Sequence, residues 1–161
     1  MTRRDTKLES EGAEFLVLGR LLILGVPAYK AYANFPGYDL IATSADGRRA
    51  ARIQVESRRA TDAPHFLIRN FDCDFVVLVR LNRSSRSSAV EPSASQGEEP
   101  GYYVPTRDQA KSLLVDEGTG WDKIRWRPAQ LERYSRKWDA IREFLTQPEP
   151  SDIQEADQHA L

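Results

Sequence analysis

Apolar residues crowd the stretch from Phe15 to Leu24, behind a charged lead-in holding Glu9, Glu11 and Glu14, and Gly25 follows at once. Early acidic residues and a glycine just past the last apolar position are helix boundary signals, so residues 7–24 predict a helix. Its nearly continuous apolar run predicts cover on more than one side. A short extended segment is expected around Val26–Tyr29, then a loop through Asn34-Phe35-Pro36-Gly37. Tyr38–Ala45 and Arg48–Ser57 alternate with period two around Asp46-Gly47. Asp-Gly between alternating runs signals a two-residue hairpin turn, because both residues tolerate positive φ. Pro64–Ile68 reads as an edge strand, and the apolar, β-branched run Phe75–Val79 as a central one.

Residues 83–100 are rich in Ser, Glu and Pro and predict a mobile loop inside one domain, since Tyr102-Tyr103-Val104 resumes a strand pattern. Thr106 and Gln109 have the spacing of a capping box, predicting a helix over 107–117. Pro128 suits a helix start. Leu131, Tyr134, Trp138, Ile141 and Leu145 recur at intervals of three and four, which predicts an amphipathic final helix. Residues 146–161 have little to bury and read as an acidic, disordered tail, leaving 1–145 as a single domain. Helix, strands, then helices make an α/β or α+β class, a mixed sheet flanked by helices.

Composition narrows this picture. The 161 residues carry 23 basic and 24 acidic side chains, so the net charge of −1 does not mark the chain as a nucleic-acid binder. One Cys excludes an internal disulfide and argues against a Cys-rich zinc site, which fits a reducing cytoplasm. Arg3, Arg4 and Lys7 before an apolar run imitate a signal peptide, but Glu9, Glu11, Glu14 and Arg20 interrupt the pattern and the run is too short to span a bilayer. No membrane association is expected. A Walker A loop, a dinucleotide fingerprint and a nucleophile elbow are absent from the sequence.

The hairpin holds the candidate chemistry. With Asp46-Gly47 as the turn, Ala45 faces Arg48 and Asp39 lies opposite Gln54, their Cβ atoms about 5 Å apart on one face. Glu56, Arg52 and Arg58 share that face, while Leu40, Ala42, Ala51, Ile53 and Val55 occupy the other. Two acids and an amide oxygen at such separations can hold a hard divalent ion. Such an ion would polarise a phosphodiester and acidify a bound water. The plain alternative is an exposed polar sheet face.

Gly37-Tyr38-Asp39-Leu40-Ile41, a turn, then Arg52-Ile53-Gln54-Val55-Glu56-Ser57 resembles the core of the PD-(D/E)xK nucleases, in the branch whose second acid is Gln. Small homing endonucleases of group I introns belong to that branch. The helix with Gly12-Ala13-Glu14, the pattern Phe71-x-x-Asp74-Phe75-Val76-Val77, Tyr102-Tyr103-Val104-Pro105 and Tyr134-x-x-x-Trp138 are similar to the remaining core elements, so the resemblance spans roughly 9–145. It implies a restriction endonuclease-like core and Mg²⁺- or Mn²⁺-dependent hydrolysis of DNA. Asp39, Gln54, the Val55 carbonyl and Glu56 would hold the ion, and Glu14 would be an auxiliary acid. One position departs: Glu56 stands where the family has Lys. A Glu can ligate metal or act as a base, but it carries no positive charge. Arg58 then becomes the phosphate clamp, or the cation of a second register, Glu56-Ser57-Arg58.

From Gly47 to Arg86 there are nine Arg and four acids, and Arg48, Arg49, Arg52, Arg58 and Arg59 lie on or beside the hairpin. They are either phosphate contacts or a solvated face. His65 reads as a strand-edge residue rather than a proton shuttle, Cys73 as structural, Trp138 as core, and Trp121 and Trp126 as open. Two functions follow: a metal-dependent DNA endonuclease, or a catalytically inactive nuclease-fold protein binding nucleic acid or a protein partner. Cleavage of both strands calls for two active sites, which a homodimer would supply.

Overall fold

The computed structural model describes residues 6–32, 37–60, 63–83, 99–115 and 122–148. Most of the expected loop 83–100 and tail 146–161, and Trp121, lie outside them. Helix α1 (Lys7–Ile23) ends where Gly25 predicts. The N–H of Gly25 reaches the Leu22 carbonyl and that of Val26 the Leu21 carbonyl, the paired bonds of a Schellman closure. Only one stripe of α1 is buried: Ala13, Val17 and Leu21, spaced by four, have no exposed surface. Phe15, Leu16, Leu22 and Ile23 are exposed, so the expectation of cover on several sides fails. A single sheet packs against the helix, and a sheet can bury one stripe only.

That sheet has five strands: β1 (Ala28–Lys30), β2 (Leu40–Thr43), β3 (Ala50–Ala60), β5 (Phe75–Arg83) and β6 (Gly101–Tyr103), in the order β1-β2-β3-β5-β6. All neighbours are antiparallel except β3 and β5, so the sheet is mixed. Leu40 pairs with Ile53 and Ala42 with Ala51, the register that the hairpin arithmetic gives. The turn itself differs. Four residues, 45–48, connect a closing contact from the Ser44 N–H to the Arg49 carbonyl, and only Gly47 takes a positive φ. Asp46 instead braces the loop by accepting from the Ser44 hydroxyl and the Arg48 N–H. Two added residues leave the parity of the strands intact.

The crossover from β3 to β5 carries β4 (His65–Ile68), which joins β8 (Asp122–Arg125) and β7 (Leu114–Val115) in a second sheet ordered β4-β8-β7. Both faces of the large sheet are therefore covered. Phe75, Val77 and Val79 point into a core under α1, while Val76 and Leu78 point into a second core with Phe66, Ile68, Cys73 and Ile124. The second sheet was not legible: β8 offers one buried apolar residue, Ile124, and β7 lies where 107–117 predicts helix. Helix α2 (Arg107–Ser112) stops early because Leu114 and Val115 pair with Ile124 and Lys123.

The predicted final helix is divided into α3 (Pro128–Leu131), a 3₁₀ turn at Glu132–Tyr134 and α4 (Asp139–Thr146). Between them the chain runs beside β6: Ser135 bridges Tyr103, and Arg136, at φ +52°, donates its N–H to the Tyr102 carbonyl. The five periodic residues are all buried, but Leu131 and Tyr134 sit in the second core and Trp138, Ile141 and Leu145 in the first. One straight helix cannot reach both faces of a sheet, so it breaks at the edge strand. Among the described residues no helix is long and apolar enough to cross a membrane.

At Thr106 the side chain accepts the Gln109 N–H and the Gln109 side chain accepts the Thr106 N–H, the capping box foreseen. Thr106→Ala should lower unfolding stability by about 1 kcal/mol, read as a reduced midpoint in urea with an unchanged slope.

Candidate active site

The ladder between β2 and β3 stops at Leu40–Ile53, one pair short of the expected Asp39–Gln54 pair. The Asp39 N–H goes to the Ile53 carbonyl, and its own carbonyl accepts from Ala31. Its carboxylate Oδ2 then accepts the Val55 N–H at 2.7 Å. Asp39 is thus held by β1 and β3 at the point where β2 begins. Gly37 makes this possible: its φ is +101°, and a Cβ there would lie 2.5 Å from Asn70 Oδ1 and 2.7 Å from the Asp72 Cβ. The chain entering Asp39 lies flat against the loop before β5.

Gln54 is buried, and its amide is oriented from both ends. Nε2 donates to Glu56 Oε1 at 3.0 Å, while Oε1 faces the Cys73 thiol at 3.9 Å. Burial raises the Cys73 pKa to about 11, so the thiol remains a donor, in keeping with a structural role. Burial also raises the Glu56 pKa, to about 7; Arg58, the Gln54 bond and Arg69 oppose it, and the charge of Asp39 adds to it. Asp39 is raised by burial against the Val55 N–H and Lys30. Glu14, on α1, is raised by burial against its bond to Lys30, with Asp39 adding. Asp39 therefore acts on a carboxylate from the helix and on another from β3.

On the helix side of this cluster the cation is Lys30, which the sequence reading missed. Its ammonium binds Glu14 at 2.9 Å and also Glu11, and its side chain is only 8% exposed. Burial works against the charge, but the bonds and attraction of Glu11 and Glu14 prevail and hold its pKa above the ordinary value. The expected segment Val26–Tyr29 stopped one residue short of it. The signal was alternation: Ala28 faces inward, so Lys30 must too.

No protein-family model and no curated protein matches the chain. Its fold does match a solved structure, that of the bacterial homing endonuclease I-Ssp6803I, at 18% sequence identity and a TM-score of 0.56, over 95% of this chain and 99% of that one. The fold is nuclease-like. The mixed sheet and flanking helices expected from the sequence are present, and the hairpin with Asp39, Gln54 and Glu56 lies at its centre.

Within this nuclease-like fold the five hairpin arginines separate. Arg52 binds Asp72 at 2.7 Å and Asp74 at 3.3 Å. Arg59 pairs with Glu9 of α1 on the opposite face. Arg49 donates to the Gln147 carbonyl and stacks over Phe144. Arg48 lies exposed at the turn beside Asp46. Arg58 donates to the carbonyls of His65 and Ser57 and borders a cleft of about 740 Å³ between α1, β3 and β4. Glu56, His65, Arg69 and Lys123 border it as well. Trp138 is core, as expected, and Trp126 packs against Arg80 and Tyr103. Arg69 and Lys123 were not singled out from sequence, because they belong to the unforeseen small sheet and its border.

Two outcomes follow. Gly37→Ala should cost about 1–3 kcal/mol in denaturant unfolding, because the Cβ meets the loop at 70–72 and the backbone is strained. For Glu56, the folded state keeps its proton between the ordinary carboxylate pKa and about 7 while the unfolded chain releases it, so stability falls as pH rises through that window. Glu56→Gln removes this fall. The variant should match wild type near pH 4 and exceed it above pH 7 by up to about 3 kcal/mol, checked by melts across that range.

Proposed function

We propose that the protein is a metal-dependent endonuclease of the PD-(D/E)xK type, in the branch with Gln as second acid, acting on DNA. The observation that carries this reading is the placement of Asp39 in a nuclease-like fold, bound to the Val55 N–H between Gln54 and Glu56 and acting on both Glu56 and Glu14, with burial raising all three carboxylates. Buried carboxylates that share a neighbourhood are costly without a cation. Among the described residues no three His, Cys, Asp or Glu side chains gather closely enough to hold a metal ion by themselves. An ion here would rely on one or two carboxylates with neutral oxygens and water, ligands that Mg²⁺ and Mn²⁺ accept. Asp39 would supply one carboxylate, Glu56 would be either a second ligand or the base, and the Gln54 amide and the Val55 carbonyl would supply neutral oxygens. When bound, the ion would polarise the phosphodiester and acidify water.

The chain's own residues supply the rest. Glu56 is suited to take the proton of the attacking water as that oxygen bonds to phosphorus, the P–O bond to the leaving sugar oxygen breaks, and that oxygen takes up a proton from solvent. Lys30 stays protonated and supports the negative charge gathering around Asp39, the electrostatic duty left open by Glu at the family's Lys position. Glu14 holds Lys30 in place. A binding protein without turnover is the second reading, favoured by that same Glu56 and by a Gln54 oxygen turned toward Cys73.

With supercoiled plasmid and Mg²⁺, wild type should nick and Asp39→Ala should not, while Lys30→Met should lose about 10²-fold in rate. With Glu56 as the base, wild-type activity should rise with pH as it ionises, and the rise should fall below pH 7 because a bound Mg²⁺ favours the ionised carboxylate. Nicking that survives Asp39→Ala would sink the active-site assignment, and DNA binding without any nicking would favour the second reading.

A further inference from the structure

We propose that the cleft beside Glu56 holds the sugar–phosphate backbone of a DNA strand, with Arg69 and Lys123 as phosphate contacts. This deepens the nuclease reading and rests on it for the identity of the strand. The floor of the cleft is built by alternation. In β4, Phe66 and Ile68 point into the second core, so His65, Leu67 and then Arg69 lie on the other side. In β8, Ile124 is buried, and Lys123 pairs with Leu67 on that outer side. A row of basic and apolar residues thus faces the end of β3, where Glu56 and Arg58 border the same space.

The charge in the cleft is local. The whole chain has a net charge of −1, yet the described residues around this cleft include Arg58, Arg59, Arg69 and Lys123 against Glu9 and Glu56. Arg59 pairs with Glu9 on the α1 side. Arg58 and Arg69 both act on the Glu56 carboxylate, so an anion drawn in by them would lie next to it. Leu67, 38% exposed, adds an apolar surface suited to a deoxyribose. Positive charge with an apolar neighbour fits a phosphodiester strand better than a free phosphate, which has no use for the apolar part.

The test is fluorescence anisotropy of a labelled DNA duplex in EDTA, where cleavage cannot interfere, across a series of salt concentrations. Arg69→Ala with Lys123→Ala should weaken binding and flatten the dependence of log K on log salt by about two, one per lost phosphate contact. Arg69→Lys with Lys123→Arg should restore the slope, which separates charge from fold. An alanine pair with wild-type affinity and slope would overturn the proposal, even if Mg²⁺-dependent nicking persists and the nuclease reading stands. Slope loss in the alanine pair without nicking by wild type would keep the cleft and remove cleavage. Inorganic phosphate bound in calorimetry, with no duplex binding, would overturn the strand in favour of a small anion.

Discussion

The N–H of Val55 sits just beyond the last β2–β3 pair, and the Asp39 carboxylate takes it. An unsatisfied buried donor would cost as much as a lost hydrogen bond, so this contact fixes Asp39 where the sheet needs it. The remaining candidate chemistry is arranged around that point. β1 delivers Lys30 beside it, α1 delivers Glu14, and β3 carries Gln54 and Glu56 onward toward the cleft. A backbone requirement and a candidate ligand are met by one side chain.

What holds these elements at fixed distances is the double burial of β5. Alternate residues of one apolar run serve two cores, one beneath α1 and α4 and the other beneath β4, β8, α2 and α3. Burying both faces of a strand at about 25 cal/mol per Å² makes it the most resistant element of a sheet. β3 lies parallel to it over most of its length, so Gln54 and Glu56 inherit that rigidity. The break at Ser135 and Arg136 belongs to the same arrangement: the chain passes the β6 edge there and closes both cores with one segment.

Electrostatically the centre divides in two. On the helix side, Glu11 and Glu14 surround Lys30; on the cleft side, Arg58 and Arg69 act on Glu56. Asp39 influences carboxylates on both sides. Such poised, partly compensated carboxylates make the folded state sensitive to pH.

Local periodicity determined a good deal by itself. The helix over 7–24, the parity of the hairpin, the apolar face of Leu40, Ala42, Ala51 and Ile53, the central run Phe75–Val79 and the Thr106 cap all follow from spacings within one element, where side-chain direction repeats every 2 or 3.6 residues. Their order led to a nuclease-like α/β fold. The small sheet, the division of the last helix, the place of Lys30 beside Asp39 and the cleft with Arg69 and Lys123 were decided by tertiary structure alone. Each depends on backbone groups far apart in sequence finding one another, as Leu67 finds Lys123 and Ser135 finds Tyr103, and a period within one segment holds no record of the partner it will meet.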